Sequence, residues 1–191
     1  MSDSAASVPL EMKHKFDDPE WGADKLETIE IFKNFTFDEL KSLWKIGKVS
    51  LLNPGAHAII EGEPSRGLYI ILFGKVSVYK NDTVSGAMHR IAYLEEGAAF
   101  GELSLFDDAP RSATVVADTS CYVFHLDAHD FDRHLGDIGG DELKVRFYQK
   151  CAEDLAERFR SINSDYIVSQ QLLWKYALRK DEEASDSEAK K

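Results

Sequence analysis

The chain has 191 residues, enough for one domain of ordinary size with additional helices, but not for two domains that each have a separate core. Hydrophobic residues make up 43% and charged residues 30% of the chain, a composition typical of globular proteins rather than disordered or fibrous ones. Its 34 acidic residues outnumber the 23 Lys and Arg residues, and the formal charge of -11 repels nucleic acid and anionic membranes, so a phosphate ligand would have to be held by local groups.

No segment has the pattern of a membrane span or a targeting signal. The longest apolar run, 68–73, is far shorter than a bilayer span, and the first 20 residues lack the continuous apolar segment of a signal peptide. Cys121 and Cys151 are the only cysteines, and their spacing fits neither a CxxC pair nor a zinc site. We therefore expect a cytoplasmic protein with two reduced, buried thiols, no disulfide and no metal.

The N-terminal part is predicted to contain an arm and two short helices. Residues 1–23 mix Ser, Asp, Pro and Lys without periodicity and are predicted to be a flexible arm, although Trp21 could dock on the domain. From 24 to 47 the apolar residues recur at helical spacing. Thr36 followed by Glu39 is a capping-box pattern that begins the second helix.

The following segment, 48–126, has the pattern of a run of short strands. Its β-branched and aromatic residues alternate and are interrupted by glycines. This spacing is typical of six to eight antiparallel strands that form a double-sheet jelly roll or barrel. Gly74 lies between two apolar runs, where a strand must bend or turn tightly. The last strand is predicted at 121–126, and Asp127 can cap a short helix after it.

The rest of the chain is predicted to be mostly helical. Glycines interrupt it at 136–140, and from 141 to about 179 apolar residues recur every three or four positions, which gives the helix one apolar face. The segment 161–165 has low helix propensity and either continues this helix or divides it in two. Residues 181–191 are mainly acidic and small and are predicted to form a disordered acidic tail.

Residues 100–115, FGELSLFDDAPRSATV, have the residue types of a pocket for a small cyclic phosphodiester. Gly101 lets a ligand approach the backbone closely, and a short helix that begins at Glu102 would point its N–H groups at an anion. Arg111 offers a planar charged pair of donors to phosphate oxygens, and Ser112 adds a hydroxyl. Glu102 would repel a phosphate, but it can accept a hydrogen bond from a ribose 2′-hydroxyl while it balances the charge of Arg111.

This segment resembles the phosphate-binding cassette of the cyclic-nucleotide-binding domain family. The resemblance covers about residues 25 to 160 and includes the Pro54-Gly55 turn and the Glu61-Gly62-Glu63 sequence. It implies an α+β fold, an antiparallel β-roll (a jelly-roll-like barrel) with N-terminal helices and a long C-terminal lid helix. It also implies a ligand site in which Glu102 binds the ribose, Arg111 and Ser112 bind the cyclic phosphate, and the backbone of Gly101, Leu103 and Ala113 lines the pocket.

The resemblance points to a stand-alone sensor from the catabolite-activator and cAMP-regulated superfamily, without an effector domain. The binding domain would cover 24–163 and a helical extension 164–180. The residues after Arg179 are too few for a winged helix, so the signal would pass to an unknown protein effector. The expected ligand is cyclic AMP, and Ser112 does not exclude cyclic GMP because its hydroxyl can also bond a guanine 2-amino group.

Two alternatives to the sensor differ in what the fold does. The first is a protein-interaction module of the same fold that binds no nucleotide. The second is an enzyme, which we do not expect because no paired nucleophile and base and no metal-ligand spacing stand out in the sequence.

The long helix has two interpretations. In the family this helix covers the base as a lid, and 152–162 lies at the corresponding distance from the cassette; Leu155, Ala156 and Phe159 would cover a purine, and the glycines at 136, 139 and 140 would permit a hinge. Residues 159, 162, 166, 169, 173 and 176 also keep heptad spacing. The same face could therefore pack on the barrel or pair with a second copy in a homodimer.

Overall fold

The computed structural model describes residues 15–64, 67–106 and 109–188. The chain divides into two units, Met1–Phe147 and Tyr148–Lys191. The first unit contains the N-terminal helices, all strands and the beginning of the last helix, and the second contains the remainder of that helix.

From residue 15, where the description begins, three helical segments precede the strands: α1 (Pro19–Glu27), a 3-10 helix (Glu30–Phe32) and α2 (Phe37–Ile46). Asp18 caps α1 by accepting a hydrogen bond of 2.9 Å from the backbone N–H of Glu20. The capping box of Thr36 and Glu39 is confirmed. The predicted arm is wrong from Pro19 onward, where α1 begins, and residues 1–14 lie outside the described residues.

Aromatic packing explains why α1 is ordered. The ring of Trp21 lies 5.5 Å from that of Phe16 and 5.7 Å from that of Trp44, which in turn stacks on Phe124 at 4.5 Å. A Cβ atom at Gly22 would lie only 2.0 Å from the Trp44 ring. The glycine therefore lets α1 lie directly against Trp44, and the docking of Trp21 is confirmed.

Eight strands follow in the part of the chain that the structure describes, and this number is the upper end of the predicted range. They are β1 (Lys48–Leu52), β2 (His57–Ile59), β3 (Leu68–Phe73), β4 (Lys75–Asn81), β5 (Met88–Glu95), β6 (Ala99–Phe100), β7 (Thr114–Ala117) and β8 (Cys121–Leu126). They form two antiparallel four-stranded sheets with the orders β1-β8-β3-β6 and β2-β7-β4-β5. The fold is therefore the predicted β-roll in its double-sheet form. The buried residues of one core cluster come from strands of both sheets: Ile59, Ile71, Val76, Phe100, Val115, Ala117, Cys121 and Val123.

Gly74 lies at one of the points at which the chain passes from one sheet to the other. It joins β3 to β4 and has a φ of +99°, which L side chains rarely adopt. A Cβ atom there would lie 2.6 Å from the Sγ atom of Cys121 and 2.7 Å from the carbonyl oxygen of Ser120. The predicted tight bend is confirmed, and the close approach of Ser120 and Cys121 also requires glycine at this position.

The last helix, α3, extends from Ala128 to Glu188. It continues through 161–165, where the sequence left a break open, and its last turns lie in the segment predicted to be a disordered tail. Glu182, Glu183 and Ala184 have high helix propensity, which accounts for this difference. Residues 189–191 lie outside the described residues.

The first part of α3 bends sharply, although the helix is continuous in its span from Ala128 to Glu188. The rings of Phe131 and Phe147 are 4.7 Å apart, whereas a straight α-helix would place these residues about 24 Å apart. Lys144 also forms an ion pair of 3.0 Å with Asp132. The predicted interruption at 136–140 is therefore wrong as a gap between helices, but the chain changes direction in the region that contains these glycines.

Contacts with the N-terminal helices hold the end of this bend. Phe147 packs against Phe32 and Phe35, with ring centroids 6.3 and 6.1 Å apart. Arg146 donates hydrogen bonds of 2.9 Å to the Glu39 carboxylate and 2.6 Å to the carbonyl oxygen of Asn34. Glu39 therefore caps α2 and also binds α3.

We predict that Gly74→Ala lowers the free energy of unfolding by roughly 2–6 kcal/mol. The strained backbone contributes about 1–3 kcal/mol, and the collision of the new methyl group with Ser120 and Cys121 adds a similar amount, about 1–3 kcal/mol. Urea denaturation of the parent and the variant measures the loss.

Gly55→Ala is the matched control for this experiment. Gly55 has a φ of +83°, but a Cβ atom there would have no neighbour within 4 Å. The control should lose only the cost of the left-handed conformation, about 1–2 kcal/mol. Equal losses in the two variants would show that the close approach at Gly74 does not matter.

Candidate functional site

The segment 100–115 connects the two sheets. It leaves β6 of one sheet, forms a 3-10 helix at Glu102–Leu105, and enters β7 of the other sheet at Thr114. Gly101 precedes the helix with a φ of +81°. The short helix predicted to begin at Glu102 is therefore confirmed, and residues 107 and 108 lie outside the described residues.

Arg111 is buried, with 6% of its surface exposed. Its Nη1 atom donates hydrogen bonds to the carbonyl oxygen of Gly101 at 3.0 Å and to the hydroxyl of Ser104 at 2.9 Å. Its Nη2 atom donates to the carbonyl oxygen of Gly67 at 3.0 Å. These three acceptors come from two separate segments of the chain and fix the plane of the guanidinium.

Ser104 organises the surroundings of this guanidinium. Its hydroxyl donates to the carbonyl oxygen of Gly101 at 2.9 Å and accepts hydrogen bonds from Arg111 and from the backbone N–H of Gly67 at 3.0 Å. Sequence analysis missed this residue. The signal that the sequence offered was a single serine between two leucines, Leu103 and Leu105.

Two glycines of the site have no room for a side chain. A Cβ atom at Gly101 would lie 2.8 Å from Nη1 of Arg111 and 2.9 Å from the carbonyl oxygen of Gly67. At Gly67, where φ is +141°, a Cβ atom would lie 2.5 Å from both His125 Nε2 and the carbonyl oxygen of Leu126. Gly101 was predicted to allow close approach of a ligand, and the structure shows that it first allows close approach of Arg111.

Burial and two neighbours act on the charge of Arg111. Burial lowers the pKa of Arg111, and the charges of Tyr69 and Glu102 counteract this shift. Burial also raises the pKa of Tyr69, whose ring lies 5.8 Å from the Arg111 guanidinium carbon and stacks between Phe100 and His125. Guanidinium groups remain protonated at neutral pH. Arg111 is therefore a buried cation, with the Glu102 carboxylate close enough to act on it.

The predicted site residues are brought together only in part. Gly101 and Arg111 are in direct contact, and the half-buried Glu102 is close enough to affect the Arg111 pKa. The side chains of Leu103, 44% exposed, and Ser112 are exposed to solvent, and Ala113 is half-buried. The ligand contacts assigned to all six residues stay predictions.

Part of the chain is similar to a known family. Residues 50–137 match the family model described as the cyclic nucleotide-binding domain, and this match covers 88 of the 191 residues. It includes the Arg111 site, both sheets except the first two residues of β1, and the start of α3.

The curated relatives include proteins named for cyclic AMP and proteins named for cyclic GMP. The chain is 30% identical over 124 residues to a cAMP-dependent protein kinase regulatory subunit of Colletotrichum orbiculare, with 65% of this chain and 31% of that protein covered. It is also 30% identical over 122 residues to cGMP-dependent protein kinase 2 of Mus musculus, with 62% of this chain and 16% of that protein covered. The chain thus spans a third or less of the length of these relatives.

A solved structure shows the same fold. The catabolite activator protein of Thermus thermophilus superposes with a TM-score of 0.64 at 23% identity, covering 73% of this chain and 62% of that chain. Within the described residues, none of the helices has the length and apolar character that crossing a bilayer requires.

Proposed function

We propose that the cassette binds a purine cyclic mononucleotide, cyclic AMP in preference to cyclic GMP, and that the chain is a sensor rather than an enzyme. The observation that carries this proposal is the buried Arg111 guanidinium, which the cassette holds in a fixed plane through hydrogen bonds to Gly101 and Ser104. A singly charged cyclic phosphate matches it in charge and in the planar arrangement of its donors. The family match gives the ligand class.

The proposed site divides the ligand into two halves. Arg111 and the Ser112 hydroxyl bind the phosphate oxygens, and the backbone of Gly101, Leu103 and Ala113 lines the pocket. Glu102 accepts a hydrogen bond from the ribose 2′-hydroxyl. Its carboxylate remains close enough to Arg111 to offset part of the cation's charge. Separating the carboxylate from the phosphate in this way avoids like-charge repulsion.

Cyclic GMP is the second candidate ligand. The exposed Ser112 hydroxyl can donate to a phosphate oxygen and can also accept from the 2-amino group of a guanine. The names of the two curated relatives cover both nucleotides at the same 30% identity. The preference for cyclic AMP therefore rests on the cassette resemblance.

The proposed output is a change in the position of the long helix. The ligand would shift this helix only if the protein binds the ligand more tightly with the helix closed than with the helix open. Residues 152–162 would form the lid, and the bend between Asp132 and Lys144 provides a place where the helix changes direction. A protein effector, still unknown, would read this change.

The apolar face of α3 could also bind a second copy of the chain. More than half of each side chain at five of the heptad positions is exposed: Phe159, Ile162, Tyr166, Leu173 and Tyr176. A homodimer would cover these side chains by coiled-coil packing. This second proposal is independent of the ligand.

We predict that Arg111→Lys weakens cyclic AMP binding about tenfold to a hundredfold. Lysine keeps the charge, but one ammonium group cannot reproduce the planar set of donors. Hydrogen bonds to charged groups contribute roughly 1.5–3 kcal/mol, and each 1.4 kcal/mol corresponds to about a factor of ten in Kd. Isothermal titration calorimetry measures the change.

Arg90→Lys is the control for a general effect of this substitution. Arg90 lies on β5, where its guanidinium carbon is 4.1 Å from the ring centroid of Tyr93. This variant should bind cyclic AMP like the parent. An unchanged Kd in Arg111→Lys, with a urea midpoint that shows a folded protein, would remove Arg111 from the site.

We predict that Glu102→Gln reduces the discrimination between cyclic AMP and its 2′-deoxy analogue. The amide accepts a weaker hydrogen bond from the ribose hydroxyl than the carboxylate does. The ratio of the two Kd values should therefore fall, while the affinity for cyclic AMP falls less than in Arg111→Lys. If the parent binds both nucleotides equally, Glu102 does not bind the ribose.

We predict that cyclic AMP slows amide hydrogen exchange in residues 100–115 and also in 141–163. The first effect follows from ligand contact, and the second follows if this part of α3 closes over the base. Protection confined to 100–115 would mean that α3 is not the lid. Light scattering on the same samples separates closure from dimerisation, because only dimerisation changes the molecular mass.

A further inference from the structure

A charged network lies beside the cassette, between β4 and the turn that follows β2. The Nζ atom of Lys80, near the end of β4, is 2.6 Å from Glu61 Oε1 and 2.6 Å from the carbonyl oxygen of Ser112. The other oxygen of Glu61 accepts the backbone N–H of Asn81 at 2.9 Å. We call Glu61, Lys80 and the Ser112 carbonyl group the brace.

The brace lies within a set of backbone contacts that joins two loops. The N–H of Gly62 donates to the carbonyl oxygen of Arg111 at 2.9 Å, and the N–H of Arg111 donates to the carbonyl oxygen of Glu63 at 3.1 Å. The N–H of Glu61 donates to the hydroxyl of Thr114 at 3.0 Å. These bonds hold Arg111 and Thr114, whereas Ser112 and Ala113 lie between them in a bend that precedes β7.

Lys80 fixes the peptide group between Ser112 and Ala113, which takes part in none of the hydrogen bonds just described. The carbonyl of Ser112 and the N–H of Ala113 belong to one planar peptide group, and in the trans form they point in opposite directions. The described residues contain no cis peptide. Because the carbonyl points to Lys80, the N–H of Ala113 points away from Lys80. This orientation also sets the direction in which the Ser112 side chain leaves the backbone.

Glu61 keeps the lysine in this position. Its side chain is only 18% exposed, and the hydrogen bond from Lys80 is the main cause that lowers its pKa, so Glu61 is ionised at neutral pH. The ammonium is paired with this carboxylate and thus adds little charge to the phosphate site. The lysine side chain of this pair is 48% exposed, so solvent weakens the ion pair and the pair alone contributes little to stability. The function of the brace is therefore to be sought in geometry rather than in stability.

We infer that Glu61 and Lys80 are positioning residues for the phosphate half of the ligand site, acting through the Ser112–Ala113 peptide group. This inference rests on the proposed function, in which Ser112 and Ala113 contact the ligand. It adds two residues, distant from the cassette in sequence, to the set on which affinity depends.

The test is a double-mutant cycle on cyclic AMP affinity, measured by calorimetry. Lys80→Met keeps the aliphatic stem and removes the ammonium, and we expect it to raise the Kd about threefold to tenfold, which is the range for the loss of one hydrogen bond. Glu61→Gln should raise the Kd by less. The double variant should bind no more weakly than Lys80→Met, because both changes remove the same device.

Rescue and a matched control distinguish positioning from a general effect. Lys80→Arg can still donate to both acceptors and should bind within about twofold of the parent. Lys75→Met breaks a comparable ion pair on the same strand, with Glu95 at 2.7 Å, and should leave the Kd unchanged. In the ligand-free protein, amide exchange at Ser112 and Ala113 should be faster in Lys80→Met and normal in Lys75→Met.

The outcomes separate this inference from the proposed function. If the parent binds cyclic AMP and Lys80→Met binds equally well, the positioning role is wrong and the proposed function stands. If Lys75→Met weakens binding as much as Lys80→Met, the effect is general and the inference is also wrong. A parent that binds neither cyclic AMP nor cyclic GMP overturns the proposed function and this inference with it.

Discussion

The structure around the cassette depends on the burial of one guanidinium group. A cation removed from water must be compensated by hydrogen bonds, since its desolvation is costly. Gly67, Gly101 and Ser104 supply this compensation with two carbonyl oxygens and one hydroxyl. These groups compensate for the lost water, and the nearby Glu102 carboxylate offsets part of the charge of the guanidinium.

The arrangement of the two sheets makes this compensation available. Gly67 precedes β3, and its carbonyl oxygen accepts a hydrogen bond from Arg111, 44 residues later in the chain. This is possible because β3 pairs with β6 at the start of the cassette. The cassette then crosses to β7 of the other sheet, where Glu61 and Lys80 meet it. The site is therefore built from both sheets, and Gly74 allows the chain to pass between them.

Local patterns in the sequence predicted much of this. The capping box at Thr36, the run of short strands, the bend at Gly74 and the short helix at Glu102 each depend on neighbouring residues, and each is confirmed. The proximity of Glu102 to Arg111 agrees with the residues that carry the family resemblance.

The errors and omissions share a physical cause. The order of α1 depends on contacts of Trp21 and Gly22 with Trp44, which no periodicity before residue 24 reveals. Ser104 and Gly67 act through bonds across 37 residues, and Lys80 reaches Glu61 across 19. The sequence also cannot distinguish a gap between two helices from a bend within one helical span, and α3 contains such a bend.

Titration of the unmodified protein with cyclic AMP and with cyclic GMP in a calorimeter tests the central claim most directly. The account predicts one nucleotide bound per chain, with cyclic AMP bound more tightly than cyclic GMP. A preference of more than about tenfold for cyclic GMP, roughly 1.4 kcal/mol, would reverse the assigned ligand. Absence of binding by both nucleotides would contradict the claim that the Arg111 site is a cyclic nucleotide site.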